Sequence, residues 1–180
     1  MTIARFQYQH DAVVSALEQD PDRIVLNVGC NDDPGGIKAI DRDRIVNCDI
    51  FDYDDTMGRP NLVDEVFDCG EDVWPFDDDS VSMTVFGDVV EHLTEQEFEH
   101  ALSEARRVGQ SIVITCPRDD RDDRTPPKDH LFMKGSLHIT VVTDEYLMDM
   151  LDGDWLVTEL RCVDYDFVPE GYFLTAEALL

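Results

Sequence analysis

IVLNVGC (residues 24–30) and RIVNCDI (44–50) are short apolar runs rich in β-branched residues, and the first is closed by a Gly/Asp/Pro cluster reaching residue 36. Runs without polar alternation read as strands buried on both faces, the condition of parallel sheets. Working outward, LVDEVFD (62–68), SVSMTVFGD (80–88) and SIVITC (111–116, ended by Pro117) supply three more strands. Helical patterns alternate with them. Ala12, Val13, Ala16 and Leu17 recur at helical spacing over residues 10–19 before Asp20-Pro21, and a short helix fits 35–41. The clearest helix starts at Thr94, which forms a T-x-x-E capping box with Glu97; Phe98, Ala101, Leu102, Ala105 and Val108 mark its apolar face, and Gly109 ends it. Residues 51–61 read as a loop or degenerate helix. Residues 118–129 read as a loop, either a solvated insertion or a substrate-side segment. A helix from Thr143 to about Asp152 and strands over 155–167 and 171–179, joined by a Pro-Glu-Gly turn, close the chain. This order predicts a mostly parallel sheet covered on both faces, with an antiparallel addition at one edge, in one domain spanning 1–180.

Composition narrows the partners. The chain has 180 residues, 41 Asp plus Glu against 14 Lys plus Arg, and a formal net charge of −27. Such a surface repels phosphate backbones and anionic membranes, so neither duplex nucleic acid nor a membrane is an expected partner. Acid comes mostly as Asp (29 against 12 Glu) and base mostly as Arg (11 against 3 Lys). This pattern resembles proteins of salt-accumulating halophiles, in which molar salt shortens the Debye length to roughly 3 Å. An ordinary acidic protein and a nucleic-acid mimic are the other readings of the charge. Cys30, Cys48, Cys69, Cys116 and Cys162 are widely spaced with no CxxC pair, which argues against disulfides and a zinc site and for a cytoplasmic setting; no metal site is expected. No cleavable leader and no apolar run near the ~18 residues that span a bilayer is evident, so a soluble protein is expected.

In open sheets of this type a ligand binds beyond the carboxyl ends of the strands, where strand order reverses. Gly29-Cys30-Asn31 follow the first strand, Asp49 the second, Asp68 the third, Asp88 the fourth and Cys116-Pro117 the fifth. Gly29 lets the backbone approach a ligand closely. Asp49, 20 residues after Gly29, stands at the separation suited to accepting hydrogen bonds from a ribose. Asp and Gly also end strands for purely structural reasons.

Together these residues resemble a family. NVGCNDDPGG (27–36) resembles the glycine-rich first motif of class I S-adenosylmethionine-dependent methyltransferases, NCDIF (47–51) their acidic second motif, and FDCGEDVWPFDDDSVSMTVFGDVVEHL (67–93) the family's stretch of L-P-F-x-D-x-S-h-D followed by D-V-h-E-H-L. SIVITCP and HITVVTDEYLMDMLDG are similar to later family segments, so the resemblance covers about residues 24–160. It implies α/β architecture: a Rossmann-like, mostly parallel seven-stranded sheet with helices on both faces and a C-terminal antiparallel hairpin. It also implies S-adenosylmethionine as cofactor and a small-molecule or protein group as methyl acceptor. By this resemblance Gly29, Cys30 and Asn31 would pass the methionine end, Asp49 the ribose hydroxyls, Ile50 the adenine, Asp68 and Cys69 the adenine amino group, and Asp88 the loop on the sulfonium side. Two positions depart from the pattern: Asn27 replaces the usual acid and Asn31 a second glycine. Asn27 could still bond the methionine amino group, without charge.

His130 and His138 are the candidate catalytic bases, since imidazole titrates near neutrality. His92 reads as a structural histidine capping the next helix. The alternatives are a catalytically inactive binding or regulatory protein on the same fold, and a nicotinamide oxidoreductase. Asn31 and Pro34 break the G-x-G-x-x-G that the oxidoreductase would need.

Overall fold

A computed structural model describes residues 4–20, 22–30, 37, 40, 42–51, 63–118, 138–163 and 171–179. The described elements are α1 (Ala4–Gln19), β1 (Ile24–Val28), β2 (Ile45–Asp49), β3 (Glu65–Val66), β4 (Val81–Gly87), α2 (Glu95–Val108), β5 (Ser111–Pro117), α3 (Asp144–Leu151), β6 (Trp155–Val163) and β7 (Gly171–Ala178). Short 3-10 turns precede β2 (Arg42–Arg44) and follow β4 (Val90–His92).

The sheet has seven strands in the order β3-β2-β1-β4-β5-β7-β6. β1 to β5 are parallel, and β7 lies antiparallel between β5 and β6. The expected terminal hairpin is therefore present, and its second strand is the one that joins the parallel sheet. Strand order reverses between β1 and β4, so the crevice expected of such sheets lies at their carboxyl ends.

Burial follows strand parity. Val25, Ile45, Met83, Val85, Val113 and Phe173 pack with Val13 and Leu17 of α1 on one face. Leu26, Val28, Phe86, Ile112, Ile114 and Leu174 pack with α2, α3 and Trp74 on the other. The apolar stripe of α2 is fully inside, and each large side chain so buried contributes about 1.5–3 kcal/mol relative to exposure. The capping box is formed: Thr94 Oγ1 accepts from the Glu97 amide, and Glu97 Oε2 accepts from the Thr94 amide at 2.7 Å. Gly109, with an extended backbone, ends α2 for reasons of space, because a Cβ there would stand 2.8 Å from the Val81 carbonyl oxygen.

Three expectations need correction. α1 begins at Ala4 rather than residue 10. The third strand shrinks from 62–68 to a two-residue exposed ladder, Glu65–Val66, which leaves Asp68 beyond it. His92 does not cap α2, since Thr94 does. The short helix at 35–41 and the 51–61 and 118–129 loops fall almost wholly outside the described residues. No disulfide joins any of the five cysteines, all of which are among the described residues, and among those residues no helix is long and apolar enough to cross a membrane.

The WPFDDD stretch (74–79) is pinned to α2 by one ionic hub. Glu104 accepts from the Trp74 amide at 2.8 Å and from Arg107 at 2.8 Å. Arg107 also donates to the carbonyls of Trp74 and Phe76. Trp74, fully buried, donates its indole N–H to the Cys69 carbonyl at 3.2 Å, which transmits the hub to the 68–72 turn.

Candidate functional site

The parallel ladder carries the strand-end residues to one edge of the sheet. Val28 ends β1, and Gly29 follows with φ +68°, the left-handed region open to glycine. A Cβ at Gly29 would lie 2.3 Å from Cγ2 of Val89, so β1 and the loop after β4 are held as close as two backbones with one side chain between them allow. Cys30 continues the pairing by donating its amide to the Cys48 carbonyl at 3.1 Å.

Asp49 ends β2 with its residue only 6% exposed. Its Oδ1 accepts from the Phe51 amide at 3.2 Å, and its carbonyl accepts from the Phe67 amide at 3.0 Å. Ile50, next to it, is half-buried. Asp68 nucleates a tight turn: its Oδ1 accepts from the Gly70 amide, its carbonyl from the Asp72 amide, and its own amide donates to Asp72 Oδ2. Cys69 lies half-buried in that turn. Asp88, with φ +59°, follows β4 and donates its amide to the Thr115 carbonyl at 2.8 Å. A non-glycine residue in this region is uncommon and stores strain of order 1 kcal/mol, and Asp tolerates it better than most.

Gly29, Cys30, Asp49, Ile50, Asp68, Cys69 and Asp88 thus lie at or just beyond the ends of four adjacent strands, β3, β2, β1 and β4. Asn27 differs. It is buried on the α1 face of β1 opposite Asn47, and its Nδ2 donates to Asn47 Oδ1 at 2.9 Å. One amide hydrogen of Asn27 is therefore committed inside the sheet. Asn31 and His130 lie outside the described residues.

His138 is described and meets two residues of the D-V-V-E-H-L stretch. Its Nε2 stands 4.0 Å from Glu91 Oε1, and its ring meets that of His92 edge to face at 4.8 Å between centroids. The thiols nearby are poor nucleophiles. Burial, then Glu91 and Asp88, push the Cys116 thiol well above its ordinary value, and burial with the neighbouring Cys30 thiol does the same to Cys48.

Three residues of this edge escape the sequence reading. Gln9 of α1, almost wholly buried, donates Nε2 to Thr115 Oγ1 at 2.5 Å and lies 3.0 Å from where a Cβ of Gly87 would be. Its signal was helical spacing, since Gln9, Val13 and Leu17 fall on one stripe. Asn47 is legible only once strand register is known. Glu91, 2% exposed, is quoted within its motif and hidden by the abundance of acid around it.

No protein-family model matches the chain, and no curated protein matches its sequence. Solved structures match its fold. The N-methyltransferase NodS from Bradyrhizobium japonicum WM9 is 12% identical with a TM-score of 0.64, 100% of each chain being covered. The PH0226 protein from Pyrococcus horikoshii OT3 is 16% identical at 0.62, over 95% of this chain and 92% of that one. The magnesium protoporphyrin IX methyltransferase ChlM from Synechocystis PCC 6803, solved with bound S-adenosylmethionine, is 14% identical at 0.58, over 95% of this chain and 78% of that one.

Proposed function

We propose that this chain, whose fold is that of the class I methyltransferases, binds S-adenosylmethionine across the ends of β1, β2 and β4 and transfers its methyl group to a small-molecule or protein acceptor. The observation that carries the proposal is the pairing of a glycine-only turn at Gly29 with a buried strand-end carboxylate, Asp49, on the neighbouring strand. These residues fit the cofactor. The turn brings main chain rather than side chain to the crevice, and Asp49, oriented by the Phe51 amide, offers the acceptor oxygens that two ribose hydroxyls need.

When bound, the cofactor would supply an electrophilic methyl carbon on a sulfonium, open to in-line attack by an acceptor nucleophile, with the carbon–sulfur bond breaking and S-adenosylhomocysteine leaving as a neutral thioether. The chain aligns the reactants and excludes water. Ile50 gives the adenine an apolar contact, and the Asp68–Cys69 turn borders its amino group. Asp88 opens the loop on the sulfonium side. Cys30 continues the turn toward the methionine end, a role that Asn31 would share, and Asn27 offers an uncharged amide already shared with Asn47. His130 and His138 are the candidate bases for the acceptor; His138 is set beside Glu91. The acidic surface favours acceptors other than duplex nucleic acid, and it belongs to a cytoplasm of high salt.

Incubation with S-adenosylmethionine labelled in the methyl group and a panel of small-molecule and protein acceptors tests the reading; label in any acceptor supports it. The Asn27–Asn47 bond favours a second reading, a binding or regulatory protein without turnover. Cofactor binding with no transfer across the panel would select that one.

A further inference from the structure

Glu91, His92 and His138 bring three ligand atoms, one carboxylate oxygen and two imidazole nitrogens, within 4.8 Å of one another. Glu91 and His92 come from the 3-10 turn after β4. His138 comes from a segment more than forty residues later, and the two are stitched through main chain. Glu91's carbonyl accepts from the amides of both Ile139 (2.8 Å) and Thr140 (3.2 Å), and Thr140 Oγ1 donates to the Leu93 carbonyl at 2.5 Å. The two segments that carry the three side chains are therefore tied together by the fold itself. The carboxylate is sequestered (2% exposed), while His138 is exposed, so the cluster spans the boundary between core and solvent at the strand-end edge.

We infer that Glu91, His92 and His138 form a binding site for a divalent transition-metal ion. Two imidazoles and a carboxylate are a donor set suited to zinc and to its first-row neighbours, and not to magnesium or calcium, which take oxygen ligands. The 4.0 Å between His138 Nε2 and Glu91 Oε1 is too long for a hydrogen bond between them. It is close to the span of two ligands that each sit about 2.0–2.2 Å from one ion. Ligand atoms of a tetrahedral site lie about 3.4 Å apart, so the Glu91–His138 pair closes by about 0.6 Å and no pair by more than about 1.4 Å on loading, a movement that rotation of the exposed His138 ring supplies. A buried carboxylate is stabilised by a cation at that distance, which offsets the cost of taking its charge out of water.

Three protein ligands leave at least one coordination position for water or an outside oxygen. The site follows Asp88 in the loop after β4, on the side assigned to the acceptor, and so fits an acceptor that presents a hydroxyl or carboxylate oxygen to the ion. That last step rests on the methyltransferase reading; metal binding itself does not.

The test uses the full chain stripped with chelator. Cobalt(II) is added as a spectroscopic probe and zinc by calorimetry, in molar KCl to suppress diffuse binding by surface acids. The expected result is one tight equivalent, a visible cobalt spectrum with nitrogen ligation, and affinity lowered roughly tenfold or more by His138→Ala. Glu91→Gln should act in the same direction. Because that side chain is buried and its replacement also perturbs the core, the exposed His138 variant decides. Asp149→Asn, on the exposed side of α3, should change nothing. Weak multisite binding that His138→Ala leaves unaltered would overturn the inference. Titrating S-adenosylhomocysteine into the same samples separates the two proposals: cofactor bound without metal refutes only the metal site, and metal bound without cofactor refutes only the methyltransferase reading.

Discussion

Replacing Arg107 by alanine removes the side chain that ties α2 to residues 74–79. Its guanidinium donates to the Trp74 carbonyl at 3.0 Å and the Phe76 carbonyl at 2.8 Å, and pairs with Glu104 and Asp78, each at 2.8 Å. The Asp78 side chain is 76% exposed, so that pair adds little. The bonds to the two carbonyls and to Glu104, whose side chain is 11% exposed, carry the effect. Hydrogen bonds to charged groups contribute about 1.5–3 kcal/mol, and removing one partner of a buried pair costs about 3–5 kcal/mol. Arg107 keeps 29% exposure, and solvent screening brings the expected loss to about 2–3 kcal/mol. At about 2–4 °C per kcal/mol for a domain of this size, thermal unfolding should fall by about 4–12 °C. The loss has a signature in pH. The hydrogen bond from Arg107 is the main cause holding the Glu104 carboxyl below its ordinary value of 4.5. A carboxyl with a depressed pKa stabilises the fold above its unfolded value and ceases to do so as pH falls through its folded value. Melting curves of wild type and Arg107→Ala should differ most at neutral pH, and the gap should narrow in acid below 4.5 as Glu104 protonates, leaving the part due to the two carbonyls, which do not titrate. A variant that melts within about 2 °C of wild type at neutral pH, or a gap that does not narrow in acid, would refute the hub.

Gly29→Ala should destabilise by about 1–2 kcal/mol from the left-handed backbone alone and further from the 2.3 Å approach to Val89. Adding Val89→Ala should recover the second part only, as read by thermal melts of the single and double variants. Tyr146→Phe should be neutral or stabilising. The Tyr146 hydroxyl is buried without a hydrogen-bond partner among the described residues, and burial pushes its pKa up to about 12; a loss above about 1 kcal/mol in urea unfolding would contradict this. With a net charge of −27, the melting temperature should rise steeply from dilute buffer to molar KCl as the Debye length shortens from about 10 to 3 Å, and a flat response would remove the halophilic reading.

How much of this was legible before the structure depends on whether a signal is local. The α2 capping box and stripe, and the buried runs of β1, β2, β4 and β5, are written in adjacent residues and appear as read. β3 was overdrawn because LVDEVFD carries strand-like residues while only Glu65–Val66 find a partner at the sheet edge. α1 was cut short because Gln9 interrupts its apolar stripe, although Gln9 is buried through a bond to Thr115. At the candidate site, Gly29, Asp49 and Asp88 stand at the ends of β1, β2 and β4 as expected, because strand ends are local features. The Asn27–Asn47 bond and the Glu91–His138 contact were not, since each depends on register or on a long-range tie that no single segment encodes.

The central claim is that Gly29 and Asp49 build a cofactor site on this fold. Calorimetric titration of S-adenosylhomocysteine into the wild type, Asp49→Asn, and Asp120→Asn with Asp123→Asn, at low and molar salt, tests it most directly. The account predicts saturable binding by the wild type, none by Asp49→Asn, and undiminished binding by the variant that neutralises two acids of the 118–129 segment. A folded wild type that binds neither S-adenosylhomocysteine nor S-adenosylmethionine in either salt, or an Asp49→Asn variant that binds as the wild type does, would contradict it.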